Sequence, residues 1–150
     1  MWKPDWTRRG RTHLYVVPRA RFEEQELLAY ALLASSVVVD WRAEFLAAAR
    51  SAQKRLGLSV AGEIERFTRI GNSDKRVFSI VNTEYLLARF DEQAREQFWR
   101  ALFDGFPHLN GLLVFTVLDA PALLPDKLTL RDWEKEGRLF VAGGATCEIN

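Results

Sequence analysis

Short apolar bursts and longer stretches with helical apolar spacing alternate along the chain. "HLYVVP" at 13–18 is β-branched and aromatic and stops at a proline, which predicts a strand. "RFEEQELLAYALLA" at 21–34 opens with acids, as a helix N-terminus does, then turns almost wholly apolar. An apolar surface on all sides predicts a central helix. Val37, Val38 and Val39 predict a strand or a tight buried connection, with Asp40 as an N-cap behind them. From Trp41 a stripe of Phe45, Ala48, Ala49, Ala52 and Leu56 predicts a helix, closed by Gly57.

Between 58 and 81 the pattern changes period. Val60, Gly62, Ile64, Arg66 and Thr68 alternate with Glu63, Glu65, Phe67 and Arg69. "GNSD" offers a turn at 71–74, and Val77 to Val81 a second run, so an antiparallel β-hairpin is predicted. Thr83 suits the cap of a third helix carrying Leu86, Phe90, Ala94, Phe98 and Leu102, with Gly105 and Pro107 closing it. "GLLVFTVL" at 111–118 reads as a buried strand. Thr129 with Asp132 resembles a capping box for a short helix ending at Gly137, and 138–142 is a last strand. The expected fold is α+β: an antiparallel or mixed sheet packed by about three main helices.

Composition narrows this to one domain at 12–150 behind an arm at 1–11. With 150 residues, 48% of them apolar, the chain can bury a sizeable core. The single cysteine, Cys147, excludes an internal disulfide and fits a reducing cytoplasm. "LLAYALLASSVVV" is too short to span a bilayer, and the start does not read as a signal peptide. No membrane role is expected.

Charge changes the picture more. Residues 1–21 carry six cations against Asp5 alone, a net of +5, which with an overall +1 leaves −4 for residues 22–150. Such asymmetry points to an interaction arm. Within it, Trp2, Trp6, Arg8, Arg9 and Arg11 belong to the residue types most enriched at interface hot spots. A competing reading has the tryptophans folding back over the protein's own core as staples. A third has the arm touching a second copy, as in a homodimer. Lys75 and Arg76, at the expected hairpin tip, are candidate phosphate contacts.

Catalytic signatures are sparse. The phosphate-loop, dinucleotide, nucleophile-elbow and zinc-protease motifs are absent. His13 and His108 are isolated, and Cys147 has no sequence neighbour that would activate it. On a strand, Glu63 and Glu65 would share one face and, with Asp40, loosely resemble the carboxylates of magnesium-dependent nucleases. Glu65 stands where those enzymes want a lysine. The expectation is therefore a protein with no catalytic residues, metal or cofactor. It would be a binding or regulatory protein of bacterial or phage origin: an inhibitor, adaptor or immunity-type protein whose partner is a protein with an acidic patch. Nucleic-acid binding through the arm with Lys75 and Arg76 is the alternative, and a metal-dependent hydrolase the third reading.

Overall fold

The computed structural model describes residues 3–7, 10–32, 36–52, 59–104, 110–143 and 146–149. Strand β1 is Thr12–Val17; a 3-10 turn at Arg19–Glu24 leads into helix α1, Gln25–Leu32. Then come β2 (Val37–Asp40), α2 (Trp41–Ala52), α3 (Val60–Asn72), β3 (Val77–Val81), α4 (Glu84–Leu87) and α5 (Glu92–Asp104). The chain continues with β4 (Leu112–Leu118), α6 (Lys127–Lys135), β5 (Leu139–Gly143) and β6 (Thr146–Ile149).

The strands form one sheet in the order β2-β3-β4-β1-β5-β6. The first five are all parallel, with His13 opposite Val114 and Val38 opposite Ser79. The short β6 runs antiparallel to β5 at one edge. This is an α/β arrangement, and it overturns the expected α+β fold with its antiparallel or mixed sheet. Parallel neighbours need crossover connections, usually helical, and here helices lie between β2 and β3, β3 and β4, and β4 and β5.

The predicted hairpin at 58–81 hid one of those crossovers. Ser59 caps α3 by accepting the Gly62 N–H at 3.1 Å. Val60, Ile64, Phe67 and Ile70 then recur every three or four residues, and all four join the core. The apparent alternation set Phe67, fully buried, on the face opposite Val60 and Ile64. A period of 3.6 puts them on one stripe.

Smaller expectations shift too. Leu27 is 71% exposed, so α1 is not the all-round buried helix that its composition suggested. Thr83 does not cap a long helix; its hydroxyl donates to the Thr116 carbonyl at 2.7 Å. The helix divides into α4 and α5, and Asp91 caps the second by accepting the Ala94 N–H at 2.7 Å. The cap of α6 is Asp126, which accepts the Thr129 N–H at 2.8 Å, not Thr129 itself. The strands at 12–17, 112–118 and 139–143 and the described part of the helix from Trp41 match their expectations, while the expected helix ends at Gly57 and at Gly105 with Pro107 lie outside the described residues.

Both sheet faces are covered. One buries Leu14, Phe78, Ile80, Leu113, Phe115 and Val117 beneath side chains such as Trp41, Phe67, Phe98, Trp99 and Trp133 from α2 to α6. The other buries Tyr15, Val17, Val77, Val114 and Phe140 beneath Phe22, Leu28 and Trp6. Leu112 to Val117 are buried without a break, as two-sided burial of a parallel strand requires.

At the amino-terminal edge of the sheet Arg138 is 3% exposed. Its Nε donates to the Thr12 carbonyl at 2.7 Å and its Nη2 to the Thr12 hydroxyl at 2.6 Å. Further bonds reach the carbonyls of Phe103 at 3.1 Å and Leu102 at 3.3 Å, and the Glu136 carboxylate at 2.7 Å. The guanidinium lies 4.5 Å from the ring centroids of both Phe103 and Trp133. Burial depresses its proton affinity, and Glu136 pulls it back; an arginine so placed stays charged.

Replacing Arg138 by Met keeps the stem and leaves the three carbonyls without this donor. A loss of about 3–5 kcal/mol is expected, as for breaking a buried charge network. A thermal melt of Arg138→Met should fall by about 10 °C; an unchanged midpoint would show that the guanidinium is not needed to join α5, β1 and β5.

Candidate binding site

The arm lies on the second sheet face. Trp6 is half-buried against the cluster that contains Tyr15, Val77 and Leu112. Two cations sit by its ring: the Arg11 guanidinium at 5.6 Å and the Lys75 ammonium at 5.4 Å from the centroid. Arg11 Nη2 also donates to the Trp6 carbonyl at 2.7 Å. The turn before this is shaped by Asp5, whose carboxylate accepts from the Thr7 N–H at 3.0 Å and the Thr7 hydroxyl at 2.6 Å.

Lys75 and Arg76 are not at a hairpin tip. They occupy the loop between α3 and β3, at the amino-terminal edge of the sheet. That loop is pinned. The Leu112 N–H donates to the Arg76 carbonyl at 2.9 Å and the Gly111 N–H to the Gly71 carbonyl at 2.7 Å. Asn110 adds two bonds to Asn72, each 3.2 Å. A Cβ on Gly111 would stand 2.7 Å from the Arg76 carbonyl oxygen and 2.8 Å from that of Asp74, so only glycine permits this approach. Arg11 and Lys75 thus meet at one aromatic ring, and the exposed Arg76 follows Lys75 in the chain. Trp2, Arg8 and Arg9 lie outside the described residues.

The carboxylates expected to share a face do not. Glu63 is 4% exposed and accepts the Trp41 indole N–H at 2.8 Å, with Arg66 at 3.9 Å. Glu65 is exposed and, two residues along a helix, points about 200° away from Glu63. Asp40 accepts the Arg42 and Ala43 N–H groups at 3.0 and 3.4 Å, as expected of the α2 cap. Among the described residues no group of three or more His, Cys, Asp and Glu is placed to hold a metal ion. His13 is buried in β1 with its ring stacked on Phe140, centroids 5.7 Å apart. His108 lies outside the described residues, and Cys147 stands opposite Ala142 in the β5–β6 pair.

Two features had no sequence signal that stood out. At the carboxyl edge of β3, Asn82 adopts a left-handed φ of 61°. Gln25 locks it, accepting the Asn82 N–H at 3.0 Å and donating to its side-chain oxygen at 3.2 Å. Beside it burial raises the pKa of Glu84; its own backbone N–H opposes this, the charge of Asp40 adds to it, and Arg42 counters. The second is a groove of about 730 Å³ between α5, α6 and the loop that joins β4 to α6. Its wall is apolar at Trp99, Phe103, Leu124 and Pro125, and acidic at Glu92, Asp104, Asp126 and Asp132. Hydrogen bonds from Thr129 hold the Asp126 carboxyl below its ordinary range. Among the described residues no helix is long and apolar enough to cross a membrane.

Comparison with protein-family models, curated proteins and solved structures found no match to this chain.

Glu84 yields a pH test. Its folded pKa lies above the ordinary value of 4.5, so the fold disfavours the ionised form. The penalty is absent below the unfolded pKa, grows as pH rises through the window between the two values, and is complete above the folded one. Glu84→Gln should therefore melt higher than wild type at about pH 7, with the gap closing at about pH 4. A gap that is constant across this range would contradict the assignment.

Proposed function

We propose that this chain is a non-catalytic binding protein that acts through protein contact, with the surface around Trp6, Arg11, Lys75 and Arg76 meeting an acidic partner. The observation that carries the reading is the joining of two distant cationic segments across one tryptophan ring. Arginine and lysine supply donors for carboxylates, and a pinned loop loses little entropy on docking. Trp2, Arg8 and Arg9, outside the described residues, are further proposed partner contacts on the strength of sequence alone. A regulatory role as inhibitor, adaptor or immunity-type protein, bacterial or phage origin, and a cytoplasmic site are parts of the proposal that rest on composition. Nucleic-acid binding is the second reading, favoured by the same joining of Lys75 to the arm, since cations beside a half-buried aromatic ring suit phosphate and base.

Titration with a poly-glutamate peptide and, separately, with single-stranded DNA distinguishes the two. The peptide should bind, and Lys75→Glu with Arg76→Glu should weaken it at least about tenfold while stability changes by about 0.5 kcal/mol or less. If DNA binds more tightly, with affinity falling by about 0.7 log units per log unit of salt for each phosphate contacted, the second reading holds. Binding of neither, or binding indifferent to the double reversal, would sink both.

A further inference from the structure

We infer that the α5–α6 groove is the acidic surface that this chain's own cationic patch meets on a second copy, so that the protein self-associates head to tail. This rests on the reading of the patch as a carboxylate-binding surface.

The groove is built to take a cation-bearing segment. It follows α5 from Glu92 to Asp104, about 18 Å at 1.5 Å per residue. Trp99, Phe103 and Leu124 give it an apolar floor for the stems of long side chains, which lie along such surfaces while their charged heads stay wet. Glu92 and Asp104 mark the ends of α5, and Asp126 and Asp132 lie on the α6 side. The two arginines in the lining offset only part of this charge, since five acids, Glu96 included, face two cations. Arg100 is tied to Glu96 at 3.0 Å, and Arg95 donates to the carbonyls of Leu87 and Phe90 at 3.1 and 2.6 Å. Leu128, 72% exposed, lies one turn before Asp132 on α6 and widens the apolar surface beside the rim.

The complementary surface is on the same chain. The first 21 residues carry +5 and the rest −4, and the structure brings Arg11 and Lys75 to the Trp6 ring, with the exposed Arg76 next to Lys75 in the chain. A chain does not fill its own groove with this patch. Trp6 packs on the sheet face under α1, whereas Trp99 of the groove belongs to the core on the opposite face. Contact between unlike surfaces closes as a reciprocal dimer or ring, or propagates as an open chain.

Sedimentation velocity over about two decades of concentration tests this at low salt, with a repeat at about 1 M, where screening is nearly complete. Wild type should gain mass with concentration at low salt and revert to monomer at high salt. Lys75→Glu with Arg76→Glu should be monomeric at low salt, and so should Glu92→Lys with Asp132→Lys. An equimolar mixture of the two variants should associate again, because each reversed surface then faces an opposite charge. A wild type that stays monomeric at low salt overturns the inference, as does association indifferent to either reversal or not restored by mixing. The poly-glutamate titration keeps the two readings apart. A monomer that still binds the peptide through Lys75 and Arg76 removes the second copy as occupant and leaves the patch standing.

Discussion

A buried guanidinium decides how the amino-terminal edge of this protein is put together. Arg138 stands just before β5, yet its hydrogen bonds run to the first residue of β1 and to the last turn of α5. An uncompensated charge in that position would cost several kcal/mol. It is tolerated because carbonyls, a hydroxyl and one carboxylate receive its donors, and because two aromatic rings flank its plane. The carbonyls of Leu102 and Phe103 belong to the helix end that has no intrahelical donors, so the same bonds satisfy α5. Gly10 passes so close that a Cβ there would stand 2.8 Å from the guanidinium. The route by which the chain enters β1 is thereby fixed, and with it the position of the arm.

The arm in turn completes the core. Among the described residues five helices follow β2, and their side chains cover one face of the parallel sheet; the other is covered by the 3-10 turn, α1 and the arm. Trp6 supplies apolar area to that second face, so it has a structural task. It also sets two cations beside its ring. Staple and interface, opposed alternatives when only sequence is considered, are compatible here, because the indole uses its body for the core and its surroundings for charge. Trp41 and Glu63 show another coupling of burial and polarity. A carboxylate expected to share a strand face with Glu65 instead satisfies a buried indole N–H between α2 and α3.

Much of the fold was legible locally. β1, β4 and β5 are dense in β-branched and aromatic residues, and α2 and α5 keep one stripe over several turns. What failed was α3, where small and polar residues fall so that both a period of two and a period of 3.6 can be traced through Val60 and Ile64. Only Phe67 separates the two, and it fits the helix. Strand direction follows from connections, so one helix misread as strand turned a parallel sheet into an expected antiparallel one. At the candidate site Trp6, Arg11, Lys75 and Arg76 were each visible as residue types, but their joining was not. It depends on Gly111 and Asn110 holding a loop far along the chain. The groove had no local signature, since its walls come from α5, α6 and a proline-containing loop.

The central claim is that Trp6, docked on the sheet, assembles the cationic surface before any partner arrives. Proton NMR of the Lys75 side chain tests it directly. With its ammonium 5.4 Å from the Trp6 centroid, the Lys75 methylene protons should feel the indole ring current and resonate away from their random-coil positions. Trp6→Ala should return them to those positions while the amide shifts of β4 stay in place. Lys75 resonances at random-coil values in the wild type, unmoved by the substitution, would contradict the account.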